Sequence, residues 1–401
     1  MDRSPNFGEI LMKSEYLVLR SSRLATRDVF ANPAALGAPT PTDVRVEMED
    51  LNRRDIPLVT RDADVLAVAP VMPMKLVEPV LRRATVAGEA GDVAWGVKAV
   101  RADTSRCTGK GIVVAVLDTG IQADHPAFQG VTLIQRNFTN EADTDQHGHG
   151  THCAGTIFGR SVAGTRIGVA HGVSKALIGK VLGSGGGSSK QIVNAILWAV
   201  DNGAHIISMS LGMDFPGLAR RLRERDGFPE ELAVSRALEG YRANVLLFER
   251  LASLIRAQAN RSILIAAAGN ESRRRQDPRF EIAVAPPAVA DGVVSVAAVG
   301  RSDSGLAVAD FSNTGANICG PGVDIASAGL AGDLLTMSGT SMAAPHVAGV
   351  AALWAERLAE VGSFNALNLT AKLIGQASFN DLGAGIDPFD VGAGLVLAPQ
   401  P

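Results

Sequence analysis

The stretch GIVVAVLD, residues 111–118, is a short and almost continuously apolar run that ends in an aspartate. Four similar runs follow it: ALIGKVL (176–182), HIISMSL (205–211), ILIAAAGN (263–270) and GVVSVAAVG (292–300). Short β-branched runs without polar alternation are typical of parallel strands buried on both faces. Helical segments such as KQIVNAILWAVDNG (190–203) lie between them. This alternation predicts an α/β fold of three layers, a parallel β-sheet with helices on both faces.

The chain before residue 95 has a different pattern. EYLVLR (15–20) and DVRVEMEDL (43–51) alternate like strands, and ADVLAVAPV (63–71) resembles a closing strand. We therefore predict a small α+β module over residues 1–80. The polar, Gly- and Ala-rich LRRATVAGEAGD (81–92) predicts a linker over residues 81–94, before the main domain at 95–401.

Composition and charge exclude several classes of function. The 401 residues are 46% hydrophobic and carry a formal net charge of −3, which gives no reason to expect nucleic acid or an anionic membrane as a partner. Charged residues interrupt every apolar run long enough to approach a membrane span. Three widely spaced cysteines suit a reducing compartment. We expect a cytoplasmic protein, or a secreted one if a leader has been removed.

Three polar residues are candidates for chemistry. Asp118 ends its strand, where a carboxylate is costly to desolvate without a partner; the alternative is a turn residue. Asn270 ends AAAGN (266–270), where an amide can hold an oxyanion or simply accommodate a turn. Ser341 lies near the start of a helix in GTSMAAPHVAGVAALWAERLAE (339–360), either as a cap or as a hydroxyl in positive potential.

The stretch DTDQHGHGTHC (143–153) adds three histidines, His147, His149 and His152. A general base must reach a nucleophile with one ring nitrogen while a carboxylate orients the other, and one imidazole can do both. A zinc site is the weaker alternative, because the glutamate of the H-E-x-x-H motif is missing. The stretch alone does not decide which histidine acts.

The motifs together resemble the subtilisin-type serine protease family. They are VAVLDTGIQADHP (114–126), HGTHCAG (149–155), SMSLG (208–212), AAAGN (266–270) and GTSMAAPHVAG (339–349), in the family's order and within about residues 95–396. The resemblance implies a subtilisin-like fold. It implies that Ser341 is the nucleophile, His149 the general base and Asp118 the residue that orients the base. Asn270 and the backbone N–H of Ser341 would then hold the oxyanion.

The resemblance also implies how a substrate is bound. The strand Ser210, Leu211 and Gly212 is expected to pair with an extended peptide, and Ala267, Ala268 and Gly269 to form the opposite wall of the specificity pocket. Ala285 falls at the pocket floor, where many relatives have glycine, which implies a slightly shallower pocket. Pro287 matches a proline after the pocket and is a candidate for a cis peptide bond.

Two positions bear on metals and on a second nucleophile. Many relatives have an aspartate that binds structural calcium after D-H-P, but this chain has Ala127, so a calcium ion is doubtful and no cofactor is required. No residue is assigned to a metal. Cys153 follows His149 by four residues, and we interpret it as a buried thiol and not as a nucleophile.

The N-terminal module weakly resembles the propeptide that precedes these proteases and acts as folding chaperone and inhibitor. The resemblance rests on length, position and DADVLAVAPV (62–71), and a permanently attached domain is the alternative.

The overall prediction is a serine endopeptidase that acts on proteins and peptides. Two rival functions are a catalytically silent binding protein on the same fold and an esterase. A catalytically silent binding protein, called the silent scaffold below, would have no reason to keep all four proposed catalytic residues. An esterase of the α/β-hydrolase kind would have its triad in the order Ser…Asp…His and its serine in a G-x-S-x-G motif. Around Ser341 the second glycine of that motif would fall at position 343, which is an alanine.

Residues 213–262 form an insertion that the resemblance does not explain. Four arginines fall within six positions, at Arg220, Arg221, Arg223 and Arg225. A long amphipathic helix is expected to follow, with its apolar face at Val234, Leu238, Tyr241, Val245, Phe248, Leu251 and Ile255. We expect this insertion to prefer acidic flanks in substrates, or to dock a partner or the N-terminal module; extra surface packing is the alternative.

Overall fold

The computed structural model describes residues 13–22, 43–84, 92–257 and 262–401. In its N-terminal part, three strands form an antiparallel sheet in the order β2-β1-β3, and two further strands lie apart from it. The elements are β1 (Ser14–Ser22), β2 (Asp43–Leu51), α1 (Ile56–Val59), β3 (Val65–Pro70), β4 (Pro73–Leu76) and β5 (Leu81–Ala84). The linker prediction over 81–94 does not anticipate β5, and residues 85–91 lie outside the described residues.

The central sheet has eight strands, in the order β17-β16-β15-β13-β7-β11-β8 with β18 beside β16. All of its pairs are parallel except β16 with β17. The sheet strands are β7 (Val113–Asp118), β8 (Thr132–Asn137), β11 (Lys175–Lys180), β13 (Ile206–Met209), β15 (Ile263–Ala267), β16 (Val293–Ser302), β17 (Gly305–Val308) and β18 (Ile318–Pro321). The five apolar runs of the sequence are all strands of this sheet, which confirms the predicted fold class.

Short strands and helices complete the chain. The short strands are β6 (Asp92–Val93), β9 (Ser161–Val162), β10 (Thr165–Arg166), β12 (Gly187–Ser188), β14 (Leu211–Met213), β19 (Ile325–Ala328) and β20 (Leu334–Ser338). The helices are α2 (Trp95–Ala99), α3 (His149–Phe158), α4 (Ser189–Asp201), α5 (Phe215–Glu224), α6 (Glu230–Ala257), α7 (Thr340–Glu360), α8 (Ala366–Gly375) and α9 (Pro388–Val391), with a 3-10 turn at Pro126–Phe128. None of the described helices combines the length and apolar character that a membrane crossing requires.

The two faces of the sheet carry separate apolar cores. Along β7, Val114 and Val116 pack in one core with α3 and α7, while Ala115 and Leu117 pack in the other with α4 and α6. Successive side chains of a strand point to opposite faces, so a strand buried on both sides must be apolar throughout. The N-terminal module joins the second core through Leu17, Leu19 and Met72.

The insertion is helical, as expected, but its buried face differs from the prediction. Phe248, Leu251 and Ile255 are buried, whereas Val234 and Leu238 are 43% and 47% exposed. Buried small residues, including Ala233, Ala237 and Gly240, take the inner face of the first half of α6. There α6 contacts β3, and Asn244 Nδ2 donates to the Pro70 carbonyl at 2.8 Å. Close backbone approach needs small side chains, which is why the larger apolar residues face outward.

Candidate active site at the carboxyl edge of the sheet

The structure brings Asp118 and His149 into direct contact. Asp118 is the last residue of β7, His149 is the first of α3, and both are buried. His149 Nδ1 lies 2.8 Å from Asp118 Oδ1. Because a carboxylate only accepts hydrogen bonds, Nδ1 carries the proton and Nε2 keeps the lone pair of the neutral ring. His149 Nε2 is buried and has no hydrogen-bond partner among the described residues.

The environment of His149 favours a proton on its ring. Burial acts against the charged form, but the Asp118 carboxylate and the neighbouring Cys153 outweigh burial, so the pKa of His149 is raised. A base with a raised pKa accepts a proton readily and is neutral only at higher pH.

A buried aspartate that the sequence analysis did not single out fixes the start of α3. Asp145 accepts from the backbone N–H groups of Gly148 at 2.8 Å and Thr151 at 3.0 Å. Thr119 Oγ1 donates to Asp145 at 2.9 Å and accepts from Gly150 N at 3.0 Å. Burial raises the pKa of Asp145, but these hydrogen bonds outweigh burial and lower the pKa overall. Asp145 thus ties the first turn of α3 to the end of β7.

Ser341 is the second residue of α7 and is fully buried. The first backbone N–H groups of a helix have no intrahelical partner, and they give this end a partial positive charge. Cys153 Sγ lies 3.3 Å from the Ser341 carbonyl oxygen and 3.7 Å from His149 Nδ1, so the serine and the histidine flank one thiol. The Ser341 hydroxyl itself donates to the carbonyl oxygen of Val77 at 2.7 Å.

Asn270 lies beside the start of α7 with its amide held in one orientation. Its Oδ1 accepts from both the N–H and the hydroxyl of Thr340, each at 2.8 Å. This leaves Nδ2 to donate away from α7, and it donates to the carbonyl oxygen of Glu78 at 2.8 Å. The side-chain amide is therefore a fixed donor next to Ser341.

A segment of the N-terminal part lies in the cleft beside these residues. Strand β4 pairs antiparallel with β14 on one side and β12 on the other. In this register Lys75 lies opposite Gly212, and Val77 N donates to the Ser210 carbonyl at 3.3 Å. Beyond the serine, β5 pairs antiparallel with β20. Residues 73–84 therefore cross the cleft from one side of Ser341 to the other.

Two successive carbonyl groups of this segment bind the two candidate catalytic groups separately. The Val77 oxygen accepts from Ser341 Oγ, whereas the next oxygen, of Glu78, accepts from Asn270 Nδ2. The Val77 side chain fills the space next to Gly212: a Cβ at Gly212 would lie 3.7 Å from Val77 Cγ2. The Val77 carbonyl is thus the one that the serine hydroxyl binds, and the Glu78 carbonyl the one that the Asn270 amide binds.

The expected substrate-binding residues lie in three separate parts of the chain, and one of them pairs with this segment. Ser210, Leu211 and Gly212 pair with it as a strand. Ala267 ends β15 and is followed by buried Ala268 and Gly269, and Gly269 N donates to Thr340 Oγ1 at 3.1 Å. Ala285 is half-buried and directly precedes the Pro286–Pro287 peptide bond, which is cis as expected for Pro287. The shallower pocket inferred from Ala285 stays a prediction.

The other two histidines have different surroundings. His152 Nε2 contacts the carbonyl oxygens of Ile325 and Leu335, both at 3.0 Å, so it donates to them and anchors β19 and β20. Burial lowers the pKa of His152 to about 3, which keeps the ring neutral. His147 is more exposed, and its Nε2 lies 3.6 Å from a Glu78 carboxylate oxygen.

Asp118, His149 and Cys153 are the potential metal ligands that converge, with ligand atoms within 4.8 Å of one another among the described residues. A metal would need the Cys153 thiolate, yet burial raises the pKa of this thiol. His149 Nδ1 is already bound to Asp118. The three residues fit a hydrogen-bonded arrangement better than a zinc site.

Ala127 stands at the position where the family resemblance implies a calcium ligand. Its side chain cannot bind calcium in this structure. The residue is fully buried and has no side-chain oxygen, and its N–H donates to His125 Nδ1 at 3.0 Å. Weak or absent calcium binding, which is inferred from this position, stays a prediction.

Comparison with known proteins identifies relatives of the chain. The sequence profile described as the Subtilase family matches residues 109–394. Subtilisin DY of Bacillus licheniformis is 31% identical over 73% of this chain and 97% of its own length. Subtilisin-like protease 9 of Arthroderma benhamiae is 28% identical over 88% of this chain and 82% of its own. Intracellular serine protease of Paenibacillus polymyxa is 31% identical over 66% of this chain and 73% of its own.

Proposed function

The chain belongs to the subtilase family of serine proteases, and we propose that it is an endopeptidase with Ser341 as nucleophile, His149 as general base and Asp118 as the residue that orients the base. The relatives bear the names of subtilisin-like serine proteases, so the chain is a hydrolase. Their names carry no substrate, and the roles of the residues rest on the geometry of the site.

In the proposed mechanism, Ser341 Oγ attacks the carbonyl carbon of a peptide bond and its proton passes to His149 Nε2. The hydrogen bond from His149 Nδ1 to Asp118 keeps Nε2 unprotonated beforehand and stabilises the imidazolium afterwards. Asn270 Nδ2 and the Ser341 backbone N–H donate to the oxyanion. His149 then protonates the leaving amine nitrogen, and water releases the acyl group by the reverse sequence.

One observation carries the choice of a peptide substrate. The chain's own residues 73–77 lie extended along β14, with the Val77 carbonyl oxygen 2.7 Å from Ser341 Oγ. Main-chain pairing of this kind accepts many sequences, because the backbone hydrogen bonds are common to all peptides. An esterase would not need an edge strand that binds a peptide backbone.

The same segment supports an inhibitory role for the N-terminal module, as the propeptide resemblance implies. With Asn270 bound to the Glu78 carbonyl, the Val77 carbonyl lacks the side-chain amide of the proposed oxyanion hole. The module is also anchored at a second place, distant from the serine. There Arg53 Nη2 pairs with Glu239 of α6 at 2.9 Å, and Asn244 donates to the Pro70 carbonyl. A filled cleft excludes other peptides until the segment is cut or released.

A cytoplasmic location is part of the proposal. All three cysteines are buried and free of disulfide bonds, as a reducing compartment favours. One relative is named an intracellular serine protease, while others come from fungi and bear no location in their names.

The Ser341→Ala variant of the full chain tests the proposal. It is expected to lose peptide hydrolysis and labelling by a fluorophosphonate probe, and to keep its full mass if the chain normally cuts itself. Ser208→Ala is a matched control, because Ser208 is also buried and its hydroxyl has no partner among the described residues. Normal turnover by Ser341→Ala would contradict the nucleophile, and a folded parent that takes up no probe even after the segment 73–84 is cut or released would favour the silent scaffold. Ester turnover without peptide turnover would favour the esterase.

A further inference from the structure

Lys75 of the segment in the cleft lies between two carboxylates of the main domain. Lys75 Nζ is 3.3 Å from Glu271 Oε1 and 3.8 Å from Asp214 Oδ1. Asp214 directly follows β14, whereas Glu271 directly follows Asn270, so the two come from separate parts of the chain that meet at the cleft. The three side chains are each 32–40% exposed, which leaves the ion pairs at the mouth of the cleft.

Both carboxylates are held in place by hydrogen bonds of their own. Asp214 caps α5, where its Oδ1 accepts from Gly217 N at 3.2 Å. Glu271 Oε2 accepts from Asn313 Nδ2 at 2.8 Å, and Asn313 is buried. A pre-oriented carboxylate loses less side-chain entropy when a cation binds, so this pair is suited to recognise a basic side chain.

The strand register determines which substrate position reaches these carboxylates. Lys75 lies opposite Gly212, two residues before Val77, whose carbonyl group faces Ser341. Met74 and Leu76 on either side are 2% and 8% exposed, as expected when neighbouring side chains of a strand alternate. Any peptide that pairs with β14 in this register places its third residue before the cleaved bond beside Asp214 and Glu271.

We propose that Asp214 and Glu271 form a subsite that selects lysine or arginine at the third residue before the cleaved bond. This inference rests on the proposed endopeptidase function and adds a substrate class to it: peptides with a basic residue two positions before the residue that contributes the cleaved carbonyl. Lys75 is the chain's own occupant of this subsite.

The test uses three quenched peptides that differ at one position, Met-Lys-Leu-Val-Glu, Met-Ala-Leu-Val-Glu and Met-Glu-Leu-Val-Glu within one flanking sequence. The full-length preparation is expected to cleave after valine, with kcat/KM about 1.5- to fivefold higher for lysine than for alanine and lower again for glutamate, the range that exposed ion pairs produce. The preference should shrink with added salt. Because the ratio is taken within one preparation, the fraction of molecules whose cleft is filled by residues 73–84 cancels.

Asp214→Asn and Glu271→Gln, singly and together, assign the preference to these residues. Both substitutions keep the acceptor oxygen that receives the Gly217 or Asn313 hydrogen bond. The lysine-to-alanine ratio is expected to fall towards one in the double variant. Glu360→Gln, at the far end of α7 from Ser341, is the control that removes an equal charge and should keep the ratio of the parent.

Equal cleavage of the lysine and alanine peptides by the parent would overturn the subsite, as would a ratio unchanged in the double variant or cleavage at another bond. A preparation whose segment 73–84 has been cut or released, yet which cleaves none of the peptides and takes up no fluorophosphonate, would instead contradict the proposed function, on which the subsite depends.

Discussion

Gly150, the second residue of α3, is the position where one added methyl group should separate His149 from Asp118. A Cβ at Gly150 would overlap the carbonyl oxygen of Gly120 and lie 3.2 Å from Asp118 Cβ. The obstacle is backbone and not the end of a flexible side chain, so the backbone of α3 or of Gly120 must shift. We expect the first turn of α3 to withdraw from the end of β7 in the variant Gly150→Ala.

The expected size of the effect follows from this geometry. Restoring an ordinary van der Waals separation requires a displacement of about 1 Å. His149 Nδ1 is now 2.8 Å from Asp118 Oδ1, so a shift of that size stretches the hydrogen bond beyond effective length. Misplacement of a catalytic group by about 1 Å costs on the order of 10²-fold in rate, and overpacking of a close-packed site costs about 1–3 kcal/mol of stability.

The assay is kcat/KM for a quenched peptide, together with the free energy of unfolding in urea. We expect Gly150→Ala to lose about 10²-fold in kcat/KM, mainly in kcat, while it remains folded. Gly375→Ala is the control, since its new methyl group would meet no atom within 4 Å at the end of α8. A folded Gly150→Ala variant with activity within twofold of the parent would refute the argument that the Gly120 contact positions His149.

Four further predictions concern other parts of the molecule. Asn270→Ala should lower kcat by about 10²–10³-fold with little change in KM, the typical loss when one oxyanion donor is removed; a pure KM effect would show that Asn270 only binds substrate. Asp118 raises the pKa of His149, so kcat/KM should fall on the acid side of its pH profile with a half-point above pH 6.5. Asp118→Asn should lower both that half-point and kcat, the latter by about 10⁴-fold. A half-point that does not move would contradict the pairing of His149 with Asp118. Burial lowers the pKa of His152 to about 3 and of His346 to about 4, so below pH 6.5 the unfolded chain binds protons that the folded chain does not. The free energy of unfolding should therefore be lower at pH 4 than at pH 6.5, by on the order of 5 kcal/mol. Equal free energies at the two pH values would show that these rings protonate without unfolding. The insertion is tested by alanine substitutions of its four exposed arginines, Arg220, Arg221, Arg223 and Arg225. The variant should cleave short neutral peptides nearly as the parent does, but cleave acidic proteins more weakly, with a difference that depends on salt. If the variant cleaves both substrate classes as the parent does, the insertion has only a packing role.

The parts of the fold that could be predicted from sequence are those whose signal is local. GIVVAVLD has to lie in the middle of a sheet because both of its faces are apolar, and Asp118 at its end has to find a partner. The start of α7 is equally local, since Ser341 follows a glycine and precedes an apolar run. The resemblance then selected His149 among three histidines, which spacing alone had left open.

Other parts of the site depend on contacts between distant segments. Asp145 resembles any loop aspartate in the sequence, and only the folded chain shows that it binds the first turn of α3. In the same way, PMKLVEP (73–79) carries no motif, yet its backbone fills the cleft because β12 and β14 leave an open edge between them. A strand of this kind is recognised by the hydrogen bonds it completes, which a linear pattern does not contain.

The helix α6 illustrates why a correct period can still give a wrong face. Spacing of three and four residues predicted one apolar stripe, and its second half, from Phe248 to Ile255, is buried as expected. In the first half the helix must approach β3 closely enough for Asn244 to reach the Pro70 carbonyl, and there Gly240 faces Met72 and Pro70. A Cβ at Gly240 would lie 2.7 Å from Met72 Sδ, so the Met72 side chain would have to shift. The small residues of α6 thus let the helix pack closely against β3 and Met72, the part of the module that leads into β4.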